Sequence, residues 1–160
     1  MRITITAVGR LKRAPEEELS RDYLGRISKL GRQVGITGVE VKEVPESAAG
    51  SAAQRKVDEA GAIQAKQPER SVIIALDERG KAMNSSEFSK LIRGCLEDGT
   101  SDLSFVIGGP DGLDPALIND ARQQVCFGAM TWPHRLVRVM LAEQIYRAVT
   151  ILANHPYHRA

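Results

Sequence analysis

SVIIALDERGK, residues 71–81, decides the fold class: a short apolar run that breaks abruptly into charge and glycine. Apolar side chains on consecutive positions suit a central strand covered on both faces, and Asp77 to Lys81 then ends it as a turn. Working outward, residues 2–8 and 39–44 alternate apolar and polar like half-buried strands. Residues 102–107 repeat the compact apolar pattern and stop at Gly108-Gly109-Pro110-Asp111-Gly112. Residues 125–127 supply a last short strand.

Helical stretches fall between these strands. Pro15 with Glu16, Glu17 and Glu18 marks a helix start running to about residue 30, because acids favour the N-terminal dipole. Residues 51–66 are helical by propensity. Ser85 serves as N-cap of a helix whose apolar face begins at Phe88 and Leu91. A short helix over 115–123 and a long one over 133–153 complete the order. Strands alternating with helices predict an α/β chain: a mostly parallel sheet with helices on both faces. At 160 residues this is one domain, 1–160, without linker or repeat.

Composition excludes several classes. With 42% hydrophobic and 26% charged residues and no long apolar run, the chain reads as globular, with no membrane span. Its first residues lack the pattern of a secretion signal, which points to the cytoplasm. Cys95 and Cys126 lie in apolar stretches and read as buried thiols. His134, His155 and His158 do not have zinc-ligand spacing, so no metal is expected.

Net charge is only +2, but residues 130–160 hold four arginines against one acid, a net +3, which leaves −1 for the remainder. An anionic partner is therefore expected at that end. The last helix is apolar on two sides. Val137, Leu141, Ile145, Ala148 and Leu152 form one stripe; Leu136, Val139, Met140 and Tyr146 form another. Breadth of this kind predicts cover by a second subunit, a homodimer.

Ligands in open α/β sheets bind beyond the carboxyl ends of strands. Three such exits are rich in small or polar residues: 76–80, 107–112 and 128–134. Neither a P-loop nor Gly-x-Gly-x-x-Gly is present, and Gly-x-Ser-x-Gly is missing too, so ordinary nucleotide and hydrolase chemistry is disfavoured.

These motifs resemble a known family. Leu76-Asp77-x-x-Gly80-Lys81 and Phe105-x-Ile107-Gly108-Gly109-x-x-Gly112-Leu113 come first. Met130-Thr131-x-Pro133-His134-x-x-x-Arg138, Glu143-Gln144-x-Tyr146-Arg147-Ala148 and Asn154-His155-Pro156-Tyr157-His158 follow. Together they are similar, over the whole chain, to the ribosomal RNA large-subunit methyltransferase H family. The resemblance implies the SPOUT class, with a C-terminal trefoil knot, a homodimer and S-adenosylmethionine as cofactor. It also implies methylation of N3 of a pseudouridine in 23S ribosomal RNA of the assembled ribosome. Cofactor contacts would be Leu76, Gly109, Gly128, Ala129, Met130, Thr131, Trp132 and Pro133, with Trp132 standing where an aliphatic residue is usual. Arg147, Tyr157 and His158 are the implied catalytic set. A non-catalytic ribosome-binding module and a SPOUT enzyme acting on transfer RNA remain the alternative readings.

Overall fold

The computed structural model describes residues 1–157. Its elements run β1 (Arg2–Val8), α1 (Pro15–Leu30), a 3-10 turn (Gly31–Val34), β2 (Gly38–Val44), α2 (Ala52–Gln64), β3 (Val72–Ala82), α3 (Ser85–Glu97), β4 (Asp102–Ile107), α4 (Pro115–Asp120), β5 (Gln123–Cys126) and α5 (His134–Leu152). The five strands form one parallel sheet in the order β2-β1-β4-β3-β5.

Strand alternation sends side chains into two separate cores. Ile3, Ile5, Phe105 and Leu103 pack with Ile27, Ile92, Leu141 and Ile145, which places α1, α3 and α5 on one face. Val8, Val106 and Ala75 pack with Ala60, Ile63, Leu117 and Ile118, which places α2 and α4 on the other. The expected α/β sandwich is what the chain forms. Among the described residues no helix is long and apolar enough to cross a membrane.

Four details differ from the sequence reading. The strand read as ending at Leu76 resumes and continues to Ala82. Pairing with β5 holds the polar residues in place: Val125 pairs with Leu76 before residues 77–80 and with Lys81 after them, so these residues arch over β5. The N-cap of α3 is Asn84, not Ser85; its side chain takes the Glu87 N–H while the Glu87 carboxylate takes the Asn84 N–H. The last strand begins at Gln123, two residues early, because α4 stops at Asp120. Cys95 is buried, but Cys126 is only half-buried.

The arch dictates the residue at position 80. A Cβ on Gly80 would stand 2.6 Å from the Val125 amide nitrogen and 2.7 Å from its carbonyl carbon. Backbone in a paired strand cannot yield as a side-chain tip can. We therefore expect Gly80→Ala to lower stability by about 1–3 kcal/mol, the range for overpacking. Urea unfolding would measure it, and a midpoint unchanged from the parent protein would refute the close approach.

Candidate functional site

The carboxyl ends of β3, β4 and β5 meet around a cavity of about 240 Å³. Its walls are residues 76–79, 107–113, 125–128 and 130–132, joined by Lys56, His134 and Val137. The three exits read separately from sequence thus form one site. Parallel strands end along a common edge, so their exits share it.

Local geometry fixes each wall. In the β4 exit, Gly112 N–H donates to the Gly109 carbonyl at 3.0 Å. A Cβ on Gly108 would lie 2.7 Å from the Gly112 carbonyl carbon, so the turn closes only on glycine. Asp111 is gripped from α2: Arg55 Nε and Nη2 donate to its two carboxylate oxygens at 2.6 and 3.1 Å, while Nη1 donates to the Ala49 carbonyl. That guanidinium holds the Asp111 carboxyl below its ordinary pKa. In the third wall, the Trp132 indole N–H donates to the Phe127 carbonyl at 3.2 Å, which orients the ring at the cavity mouth with 39% of its surface exposed.

Of the residues singled out as cofactor contacts, Leu76, Gly109, Gly128, Met130, Thr131 and Trp132 line this cavity. Ala129 and Pro133 stand in the same loop but do not line it. Lys56 and the Arg55–Asp111 clamp escape the sequence reading, and His134, part of the third exit there, is assigned no cofactor contact. Arg55 and Asp111 lie on separate elements, and no spacing rule pairs them.

His134 and Arg138, in the first turns of α5, tie the cavity to β1. Arg138 is 2% exposed; it donates to the Val8 and Gly9 carbonyls at 2.5 and 2.6 Å and to Glu43 at 2.9 Å. Burial lowers its pKa and Glu43 pulls it back. Burial, followed by the nearby Arg138 charge, lowers the pKa of His134. Arg138 is an internal anchor, and Arg147 is paired with Glu143, so two of the four arginines in the C-terminal segment are held within the protein.

Arg147 and Tyr157 stand apart from the cavity, around Glu143. Arg147 Nε and Nη2 donate to Glu143 Oε1 at 2.9 and 2.6 Å, and the Tyr157 hydroxyl donates to the same oxygen at 3.4 Å. The guanidinium carbon sits 5.1 Å from the centre of the Tyr157 ring. Burial and then Glu143 raise the Tyr157 pKa, which keeps the phenol protonated. Glu143 lines a second depression with Met140, Phe127 and Gly128. Residues 125–128 line both the cavity and this depression. His158, the third implied catalytic residue, lies outside the described residues.

Comparison with known proteins places this geometry in context. Residues 1–158 match the family model described as "Predicted SPOUT methyltransferase". A protein of Rhizobium etli called ribosomal RNA large subunit methyltransferase H is 52% identical over 159 residues, covering 99% of both chains. One of Nitrobacter winogradskyi bearing the same name is 51% identical over the same length, also covering 99% of both. Among solved structures, a probable methyltransferase from Bordetella pertussis superposes with a TM-score of 0.51 at 14% identity, over 92% of this chain and 95% of that one. That likeness concerns the fold.

Proposed function

The chain belongs to the SPOUT methyltransferase family, and from that membership we propose that it carries a methyl group from S-adenosylmethionine to N3 of a pseudouridine in 23S ribosomal RNA. The substrate follows the name of its relatives; the observation carrying the chemistry is the cavity where three strand exits converge. The stretch 108–112 and Thr131 bring polar groups to the lining, and Leu76, Ile107, Val125 and Trp132 bring apolar ones. A purine base needs both, so the residues fit an adenosyl group.

Bound S-adenosylmethionine supplies a methyl group already activated on a sulfonium. What remains for the protein is alignment and charge. Leu76, Gly109, Gly128, Met130, Thr131 and Trp132 would hold the cofactor. Arg147 stabilises the negative charge that gathers on the imide as the N3 proton leaves. Tyr157 positions the base, and His158 accepts the proton or contacts RNA. Because Arg147 and Tyr157 do not line the cavity of their own chain, a homodimer is part of this proposal. The half-buried Val139 and Met140 and the 40% exposed Leu136 on α5 support such cover. The single domain, with its trefoil threading, would act on ribosomes in the cytoplasm.

The test is transfer of labelled methyl from S-adenosylmethionine to bacterial 70S ribosomes, with the product base identified by mass spectrometry. N3-methylpseudouridine in 23S RNA is expected. Label found only in transfer RNA, or none despite cofactor binding, would overturn the reading. Trp132→Ala should weaken cofactor binding about 5- to 150-fold by calorimetry, the effect of losing about 1–3 kcal/mol of stacking. An unchanged affinity would take Trp132 out of the site.

A further inference from the structure

Of the cations in the C-terminal charge count, Arg138 turns inward and Arg147 is paired with Glu143, but Arg135 faces out, and so does another group beside the cavity. The turn after β1 carries Arg10, Lys12 and Arg13, all exposed. Between them Leu11 is buried at 7% exposure, and its N–H donates to Glu43 Oε1 at 2.9 Å, the oxygen that also receives Arg138. One inward residue, pinned to a buried ion pair, fixes the outward direction of its neighbours. Arg13 is held in turn: its N–H donates to Glu17, and its φ is +50°.

This turn adjoins the cavity. His134 lines the cavity, and its Nε2 lies 3.4 Å from where a Cβ of Gly9 would stand, one residue before Arg10. Arg135, also exposed, lies close enough to disfavour the charged forms of His134 and Arg138. Four cations therefore flank the cavity along the same carboxyl edge of the sheet. Arg10, Lys12, Arg13 and Arg135 form no ion pair among the described residues.

Acids nearby do not cancel them. Glu17 accepts from Arg13 N–H and from the Arg21 guanidinium, and Glu16 and Glu18 sit in the first turn of α1 against its free N–H groups. Glu46 stands over Gly9, where His134 and Arg138 face it.

We propose that the β1–α1 turn, with Arg135, is the docking surface for the phosphate backbone of the RNA substrate. This rests on the RNA reading above and adds where the RNA lies. Fixed, outward cations beside a ligand cavity suit phosphates, which orient a nucleic acid without reading its bases. The turn therefore sets how the target strand approaches the cavity, while base choice belongs to other groups.

The test measures binding of the full-length protein to bacterial 70S ribosomes across a salt series, with and without Arg10→Gln, Lys12→Gln and Arg13→Gln combined. Each phosphate contact contributes about one unit to the log–log salt slope. The triple variant should flatten the slope by about 2–3 and bind at least about tenfold more weakly at low salt. Affinity for S-adenosylmethionine should stay that of the parent, which also reports an intact fold. A control, Arg32→Gln, Lys90→Gln and Arg93→Gln, removes equal charge from exposed positions on the 3-10 turn and α3. Equal losses in both variants would overturn the assignment, leaving a general charge effect. An unchanged slope in the first would also overturn it, and so would a loss seen with ribosomes but not with protein-free 23S RNA, which would identify an acidic protein partner. If the parent protein shows the turn-dependent slope yet methylates nothing, the docking surface stands and the catalytic reading falls.

Discussion

Arg147→Ala is expected to lower the rate of methyl transfer by about 10²- to 10³-fold, the usual cost of removing one group aimed at charge that develops in the transition state. Cofactor affinity should be unaffected, because Arg147 does not line the cavity. In the free protein its guanidinium is held by Glu143, so engaging the substrate means exchanging that carboxylate for the imide oxygens. Arg147→Lys keeps the charge and loses the fork that meets Glu143 through two nitrogens, and should recover only part of the rate. Single-turnover transfer to 70S ribosomes, read beside calorimetry with S-adenosylmethionine, separates these effects. Full activity in Arg147→Ala would remove it from the mechanism. Weaker cofactor binding would reassign it to the cavity.

Arg138→Met should cost about 3–5 kcal/mol of folding stability, the penalty for breaking one side of a buried ion pair. The low end applies, since the Glu43 carboxylate is 33% exposed and can regain water. The Val8 and Gly9 carbonyls cannot do so as readily. Urea unfolding measures the loss. Adding Glu43→Gln to Arg138→Met should restore part of it; a loss that simply adds would show that the two side chains are not energetically coupled.

Why the fold was legible and the site only partly so comes down to range. Each strand and helix announces itself within its own residues: apolar alternation in 2–8, the run at 72–76, Pro15 followed by three acids. The Glu143–Arg147 pair was likewise within reach, because four residues bring two side chains together on a helix. Arg138 was not. Its partner lies 95 residues away, and an arginine on a helix looks solvated until β1 and β2 are placed beside it. Residues 77–81 read as a plain turn for the same reason: polar side chains conceal a strand that exists only through its pairing with β5. Asn84 shows a different failure. Asn84 and Ser85 are both good caps, and the glutamate three residues on belonged to Asn84. The three ligand loops were each visible, whereas their union into one cavity depended on strand order. Ala129 and Pro133 fall off its wall while Met130, Thr131 and Trp132 between them stay on it, a distinction no one-dimensional pattern makes.

The arch of residues 77–80 over β5 has a consequence for how the molecule is born. Strand β5 lies at the edge of the sheet, and its Val125 holds both ends of the arch, so the arch takes shape only once β5 has docked on β3. Contacts this distant along the chain form late and slow the search for the native state. The segment from 125 to 132 also closes the cavity. A nascent or truncated chain lacking it has no place for a ligand, and a ligand bound in the finished protein stabilises the state in which that docking is complete.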